Sequence, residues 1–170
     1  MGMKEIGAWA LNVCNARGAQ FADLRIVDER QRGLATKNGK VAHAADSNSM
    51  GIGIRVLANG AWGFAATEDL SRAGVETAAH QAVEIAKASA QVKEHDVQLA
   101  PEKAHVDDWS SPCKIDPFSI SVEQNLDLLL KIDAELLKVK GITLAETNMN
   151  FRRYEQWYYS SDGSDIHQVK

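Results

Sequence analysis

Proline and cysteine are scarce in this sequence. Three prolines and two cysteines occur among 170 residues, which excludes a Pro-rich extended chain and a disulfide-stapled secreted scaffold. Cys14 and Cys113 lie far apart and outside any Cys-x-x-Cys pair, so we expect two free thiols rather than a disulfide or a zinc knuckle. With 45% hydrophobic and 25% charged residues, the composition is that of an ordinary globular protein.

The sequence also lacks a basic excess and any long apolar run. Nineteen Lys and Arg stand against 23 Asp and Glu, a formal charge of -4, and no segment concentrates basic residues, which disfavours direct nucleic-acid binding. No apolar run approaches the roughly 20 residues that span a bilayer. Residues 1–5 lack the apolar region of a signal peptide. We therefore expect a cytoplasmic protein with no membrane association.

No catalytic motif can be identified in the chain. No Ser stands in Gly-x-Ser-x-Gly, and none of the five histidines is followed by Glu, as a His-Glu metal motif requires. His80 and Glu84 have the i, i+4 spacing of two ligands on one helix face, but zinc needs at least three. We interpret them as a solvated pair. The residues themselves predict neither a catalytic site nor a metal site.

Two Asn-Gly pairs predict tight hairpins. Asn59-Gly60 lies between two apolar runs, and its two-residue register places Leu57 opposite Trp62 and Arg55 opposite Phe64. We expect Arg55 and Phe64 to form a cation-π pair. Because both faces of this hairpin carry apolar groups, it is expected to be central in its sheet, or covered on the Trp62 side by another chain or domain. Asn38-Gly39 predicts a second hairpin.

Three helices are predicted around these hairpins. The first covers residues 4–17, with a stripe of Ile6, Ala10, Val13 and Cys14. Ser71 is the expected N-cap of the second. Ser121 and Gln124 form a capping box for the third, whose Leu128 and Ile132 predict burial on two sides. After this helix, the pattern predicts two strands, at residues 142–151 and 154–161.

These elements predict an α+β fold, an antiparallel sheet built from hairpins with helices on one face. We expect an N-terminal α+β part at 1–90, a surface linker at 91–119 that holds all three prolines, and a helix plus hairpin at 120–170 continuing the same domain. A duplicated helix-plus-hairpin unit is one interpretation, since aligning Gly141 with Gly18 matches Ala145 with Ala22 and Arg153 with Arg30. Chance identity is the alternative.

Several blocks occur along the chain in a specific order and spacing, namely Gly18-Ala19-x-x-Ala22-Asp23-x-Arg25, Asn38-Gly39-Lys40-Val41, Gly51 to Leu57, Gly60 to Thr67 and Asp69-Leu70-Ser71. Together they resemble the N-terminal domain of the TldD/PmbA family, the modulators of DNA gyrase. Two further segments, 116–118 and 160–164, extend the resemblance to nearly the whole chain, and Trp62-Gly63-Phe64 resembles the TldD branch.

The resemblance implies a cytoplasmic zinc-dependent peptidase that processes or degrades small peptides as a TldD-TldE heterodimer or homologous dimer. In that family, His-Glu-x-x-x-His holds the zinc, and its Glu acts as general base toward a metal-activated water. The motif follows the N-terminal domain and is absent here. The resemblance therefore implies a non-catalytic domain, inactive alone and binding no zinc itself, that helps enclose the proteolytic chamber and form the dimer. Arg55, Trp62 and Phe64 are the expected interface or substrate-facing residues.

The alternative is a free-standing, non-catalytic module whose sheet edge binds extended peptides by strand addition. A reading frame that continues beyond Lys170 into His-Glu-x-x-x-His favours the peptidase, and a stop codon favours the module. The sequence identifies neither the peptide substrate nor the oligomeric state.

Overall fold

Three α-helices and six β-strands confirm the predicted α+β class in the computed structural model, which describes residues 2–170. The strands form one sheet in the order β3-β2-β1-β5-β6-β4, with β4 and β6 parallel and the β2–β3 and β5–β6 pairs antiparallel. The elements are α1 (Met3–Ala16), β1 (Phe21–Lys37), β2 (Lys40–Ala58), β3 (Ala61–Thr67), α2 (Arg72–Ser89), β4 (Val106–Ser110), a 3-10 turn (Pro117–Ser119), α3 (Val122–Leu137), β5 (Glu146–Ser160) and β6 (Asp165–Val169).

The chain divides into two compact units. Among the described residues, unit 1 comprises 2–28, 50–110 and 155–169, and unit 2 comprises 29–49, 111–154 and 170. Strands β1, β2 and β5 contribute residues to both units. The division into 1–90, 91–119 and 120–170 stays a prediction.

The core of unit 1 lies between α1, α2 and one face of its sheet. The α1 stripe of Ile6, Ala10, Val13 and Cys14 is buried, as the helical spacing predicts. Ser71 caps α2 by accepting a hydrogen bond from the Gly74 amide at 3.1 Å. Large aliphatic side chains of β1 and β2 complete the core, namely Leu24, Ile26, Ile52, Ile54 and Val56.

Small residues let α2 approach β3 closely. A Cβ placed on Gly63 would lie 2.1 Å from the carbonyl oxygen of Ala82 and 2.4 Å from the amide nitrogen of Ala86. Real Cβ atoms do not reach such distances, so only glycine fits at this crossing. The alanine-rich helix and this glycine together fix the position of β3 in unit 1.

The two Asn-Gly hairpins are confirmed. Asn38 and Asn59 have φ of 49° and 51°, and the following glycines are also positive, as a type I′ turn requires. The register of Leu57 with Trp62 and of Arg55 with Phe64 is as predicted. The central position is wrong for β3, which is an edge strand. Between the two turns runs one continuous strand of 19 residues, β2.

Unit 2 contains α3, whose capping box is confirmed by the reciprocal hydrogen bonds of Ser121 and Gln124. Its buried stripe is Asn125, Leu129 and Asp133, and Asp133 accepts a hydrogen bond from the Gly39 amide at 3.1 Å. The predicted burial on two sides is wrong, since Leu128 and Ile132 are 49% and 40% exposed.

Two further elements differ from expectation. Residues 142–151 and 154–161 do not form two strands, because one strand, β5, runs from Glu146 to Ser160. The segment 91–119 contains a strand, β4, that joins the sheet edge. Gly18 and Gly141, the glycines aligned in the repeat, both follow a helix with positive φ, 88° and 98°. The duplication stays a prediction.

Candidate functional site

A cavity of about 580 Å³ lies in unit 1, on the face of the sheet opposite α1 and α2. Strands β1, β2, β3, β5 and β6 form its base, and residues 99–105 form a wall. Two of the three predicted site residues, Arg55 and Trp62, line it together. The third, Phe64, does not line it. The structure thus brings Arg55 and Trp62 together and leaves Phe64 beside them on β3.

An ion pair forms the floor of this cavity. Asp23 is 1% exposed, and its carboxylate accepts hydrogen bonds from Arg55 Nε at 3.1 Å and Nη2 at 2.5 Å. These bonds to Asp23 raise the pKa of the Arg55 guanidinium above its ordinary value. Fork-to-fork pairing of this kind fixes the orientation of both groups.

Sequence alternation alone missed Asp23. It follows buried Ala22 and precedes buried Leu24, and a polar residue at that position reads as solvent-facing. The alternation correctly predicts that the Asp23 side chain points away from the helices. It wrongly predicts that this side chain is exposed, because residues 97–105 partly cover that face of the sheet as well. The available signal was Arg55, which shares that face and supplies the opposite charge.

The Arg55 guanidinium stacks on Trp62 rather than on Phe64. Its Cζ lies 4.6 Å from the indole centroid, and Phe21 contacts the same indole edge-on at 6.1 Å. The predicted Arg55–Phe64 cation-π pair is therefore corrected to Arg55–Trp62. Held by Asp23, the guanidinium lies over the diagonal neighbour instead of the residue directly opposite.

Phe64 remains 57% exposed. Its ring lies across Gly53, where an added Cβ would be 3.1 Å from two ring carbons. The absence of a side chain at Gly53 therefore lets the Phe64 ring pack against the β2 backbone. Aromatic rings are enriched in protein interfaces relative to the rest of the surface, so this ring is a candidate contact residue.

Tyr158 closes one side of the ion pair. Its Oη lies 3.4 Å from Asp23 Oδ2, and the Arg25 guanidinium lies 5.0 Å from the centroid of its ring. Burial, and then the negative charge of Asp23, raise the pKa of Tyr158 above its ordinary value. The phenol therefore stays protonated and donates to Asp23 at neutral pH.

The wall of the cavity is tethered at both ends. At one end the Val97 amide donates to the Gly60 carbonyl at 2.9 Å. At the other, the His105 amide donates to Ser164 Oγ at 3.2 Å, and its carbonyl accepts from the Asp165 amide at 2.9 Å. The cover expected on the Trp62 side is thus supplied in part by this chain's own residues 97–105.

His167 anchors β4 beyond this wall. Its Nδ1 lies 2.8 Å from Asp108 of β4 and its Nε2 lies 2.9 Å from Glu155 of β5. The hydrogen bond to Asp108 contributes most to a raised pKa of His167, with Glu155 adding to it. The ring also stacks on Trp157 at 5.2 Å. His167 itself lies on β6.

Among residues 2–170, no group of three or more His, Cys, Asp or Glu side chains is placed to hold a metal ion. His80 lies 3.8 Å from Glu76 rather than pairing with Glu84. Both cysteines are free, and burial raises the pKa of Cys14 to about 11. Cys14 is therefore a buried thiol that stays protonated at neutral pH. Within the same residues, no helix combines the length and apolarity that crossing a membrane demands.

Comparison with known proteins bears directly on this region. The sequence model of PmbA/TldA metallopeptidase domain 1 matches residues 22–86, which contain Asp23, Arg55 and Trp62. This segment of the chain is therefore similar to the first domain of the PmbA/TldA metallopeptidases. A metalloprotease of Methanocaldococcus jannaschii is 25% identical over 148 residues, 86% of this chain and 32% of the relative. One from Methanothermobacter thermautotrophicus is 40% identical over 55 residues, 32% of this chain and 12% of the relative.

Solved structures share the fold of this chain. A protein of Bacteroides thetaiotaomicron named as a modulator of DNA gyrase has a TM-score of 0.76 at 15% identity, covering 98% of this chain and 38% of that one. TldE of Thermococcus kodakarensis has a TM-score of 0.69 at 13% identity, covering 94% and 35%. The chain therefore spans about a third of the length of these relatives. The TldD branch stays a prediction.

Proposed function

We propose that this chain is the first, non-catalytic domain of a zinc metallopeptidase that processes or degrades small peptides in the cytoplasm. The match to domain 1 of the metallopeptidases supports this role, as does the metalloprotease name of relatives about three times its length. The metal implied by that name does not fit residues 2–170, which bring no three ligands together. We therefore assign the metal and the general base to residues outside this chain.

Within such an enzyme, we assign the domain to the wall of the peptide chamber and to the contact with a TldD- or TldE-type subunit. The observation that carries this assignment is the exposed ring of Phe64 beside the Arg55–Trp62 cavity, on an edge strand whose inward residues are tightly packed. An aromatic residue of this kind is a common anchor of protein interfaces. The T. kodakarensis neighbour supports TldD/TldE-type assembly.

The peptidase assignment is tested in the gene. We expect the reading frame after Lys170 to continue into His-Glu-x-x-x-His, and the longer protein to bind one zinc ion and to cleave peptides in a chelator-sensitive way. The 170-residue chain alone should do neither. A stop codon after Lys170, or chelator-sensitive cleavage by the 170 residues alone, would contradict the assignment.

The contact role is tested with Phe64→Ser in the longer protein. Loss of a buried Phe ring weakens an interface by about tenfold or more, so the dimer should dissociate at higher concentration in sedimentation velocity. Val92→Ser is the matched control, since Val92 is 83% exposed outside the helices and strands. Equal dimer affinity for Phe64→Ser and the wild type would exclude Phe64 from the contact.

Peptide binding by strand addition remains the second candidate, and β4 is the observation that favours it. This strand is at the sheet edge, with Val106 77% and Trp109 45% exposed. An exposed edge strand can pair with an extended peptide. The Val106 amide faces the open edge in the parallel register with β6, so Val106→Pro should weaken such pairing. Peptide binding that survives this substitution unchanged would exclude β4.

A further inference from the structure

The cavity beneath residues 99–105 has the size and lining of a ligand site. Its volume of about 580 Å³ falls within the range of about 300–1,000 Å³ that small-molecule sites occupy. Apolar side chains from both the sheet and the wall line it, including Phe21, Trp62, Leu99 and Ile166. The site can therefore take an apolar group of one or two amino-acid residues.

Two of the carboxylates that line the cavity already accept hydrogen bonds. Asp23 accepts two from Arg55 and one from Tyr158. Asp162 accepts from the hydroxyls of Ser160 and Ser164 and from the Ser164 amide. These contacts lower the pKa of Asp162, the Ser160 hydroxyl contributing most. Neither carboxylate is an unused acceptor.

Donors in the lining are less fully used. Arg55 binds Asp23 through Nε and Nη2, which leaves Nη1 without a protein acceptor among the described residues. In the same part of the chain, the side chains of Lys103 and His105 form no ion pair or hydrogen bond. Glu102, exposed on the wall, is the third lining carboxylate. The lining groups that remain free to bind a ligand are therefore mainly hydrogen-bond donors.

The charge balance selects among anions. Three carboxylates, those of Asp23, Glu102 and Asp162, face two permanent cations, Arg55 and Lys103. This lining has a net charge of -1, so it opposes a dianion such as a phosphate monoester more strongly than it opposes a monoanion. A single carboxylate attached to an apolar body matches both the two available cationic donors and the aromatic surface.

We infer that this cavity binds the free C-terminal carboxylate of a short peptide whose last residue is apolar, with Arg55 and Lys103 as donors and Trp62 beneath the side chain. The inference rests on the proposed function only for the source of the peptide, a substrate or product of the peptidase. Asp23 is a positioning residue here, because it holds the guanidinium against Trp62.

The test is a calorimetric titration of the 170-residue chain with N-acetyl-Ala-Phe and with its C-terminal amide. The acid should bind about tenfold more tightly than the amide, because the amide loses a charge-assisted hydrogen bond. Lys103→Gln should weaken binding of the acid and leave the amide unchanged. Lys140→Gln, an exposed lysine of unit 2, is the matched control.

Equal affinity for the acid and the amide, or no binding of either at millimolar concentration, would overturn the inference. Displacement of the acid by inorganic phosphate at equal concentration would also overturn it, since phosphate would then be the preferred anion. If the longer protein cleaves peptides while the chain fails to discriminate, only this inference fails. If the chain discriminates but the longer protein cleaves nothing, only the proposed function fails.

Discussion

Replacing Arg55 by Met tests the ion pair at the floor of the cavity. Methionine keeps an unbranched side chain over Trp62 but removes both hydrogen bonds to Asp23. The Asp23 carboxylate is 1% exposed, and after the substitution it keeps only the Tyr158 hydroxyl, at 3.4 Å. A buried carboxylate with one long hydrogen bond is strongly unfavourable.

The expected loss in the free energy of unfolding depends on how deeply the ion pair is buried. Breaking a fully buried ion pair costs about 3–5 kcal/mol. The Arg55 side chain is 45% exposed, so water can reach Asp23 once the guanidinium is gone. We therefore expect the free energy of unfolding to fall by about 2–3 kcal/mol, less than the cost of breaking a fully buried pair. With a urea m-value of about 2 kcal/mol per molar, the midpoint should fall by about 1–1.5 M.

Urea unfolding followed by circular dichroism measures this loss, and two variants isolate its cause. Arg25→Met removes a guanidinium that stacks on Tyr158, and should cost only about 0.5–1 kcal/mol. The double variant Asp23→Asn with Arg55→Met removes the buried charge along with its partner. It should recover at least half of the stability that Arg55→Met alone loses. The reasoning is refuted if Arg55→Met costs no more than Arg25→Met, or if Asp23→Asn makes the loss larger.

Three other outcomes follow from the structure. Gly63→Ala places a Cβ 2.1 Å from the α2 backbone. This overpacking should lower the free energy of unfolding by about 3 kcal/mol and Tm by about 6–12 °C. Gly2→Ala is the control, because open space surrounds Gly2, and it should change Tm little. The pKa of His167 is raised in the folded chain, so its stabilisation of β4 is complete below about pH 6.5 and is lost as the pH rises through the folded pKa. Hydrogen exchange of the β4 amides should therefore accelerate over this range by more than the intrinsic effect of pH. His167→Gln should remove this additional acceleration. In a native thiol assay at pH 8, exposed Cys113 should react quickly while Cys14, with its pKa near 11, stays protected; equal rates would contradict its burial.

Local signals predicted much of the fold. The Asn-Gly turns required positive φ at both residues, so their chemistry determined the hairpins and the register of Arg55 with Phe64. Ser71 and Ser121 marked helix starts because their hydroxyls satisfy otherwise unpaired amides. The α1 stripe was readable because a single face of that helix meets the core.

Long-range pairing was not predictable in the same way. The strand β4 pairs in parallel with β6, and the nearby prolines and aspartates read as a linker because no local pattern encodes that partner. The apolar face of α3 was expected to be covered because Leu128 and Ile132 are large and apolar. Apolar character indicates which groups gain from burial, but the structure of this chain alone leaves them exposed.

At the candidate site, the alternation of apolar and polar residues along a strand does not predict which side chains are exposed. In unit 1 the sheet is covered on one face by helices and on the other, in part, by residues 97–105, so Asp23 and Arg55 lie where polar residues usually meet water. Two apolar residues at these positions would pack on Trp62 without the desolvation that Asp23 requires. Stability alone therefore gives little reason for an ion pair here. What the pair provides is a guanidinium fixed over Trp62 at 4.6 Å, with one donor edge unused in a cavity that a peptide end can fill.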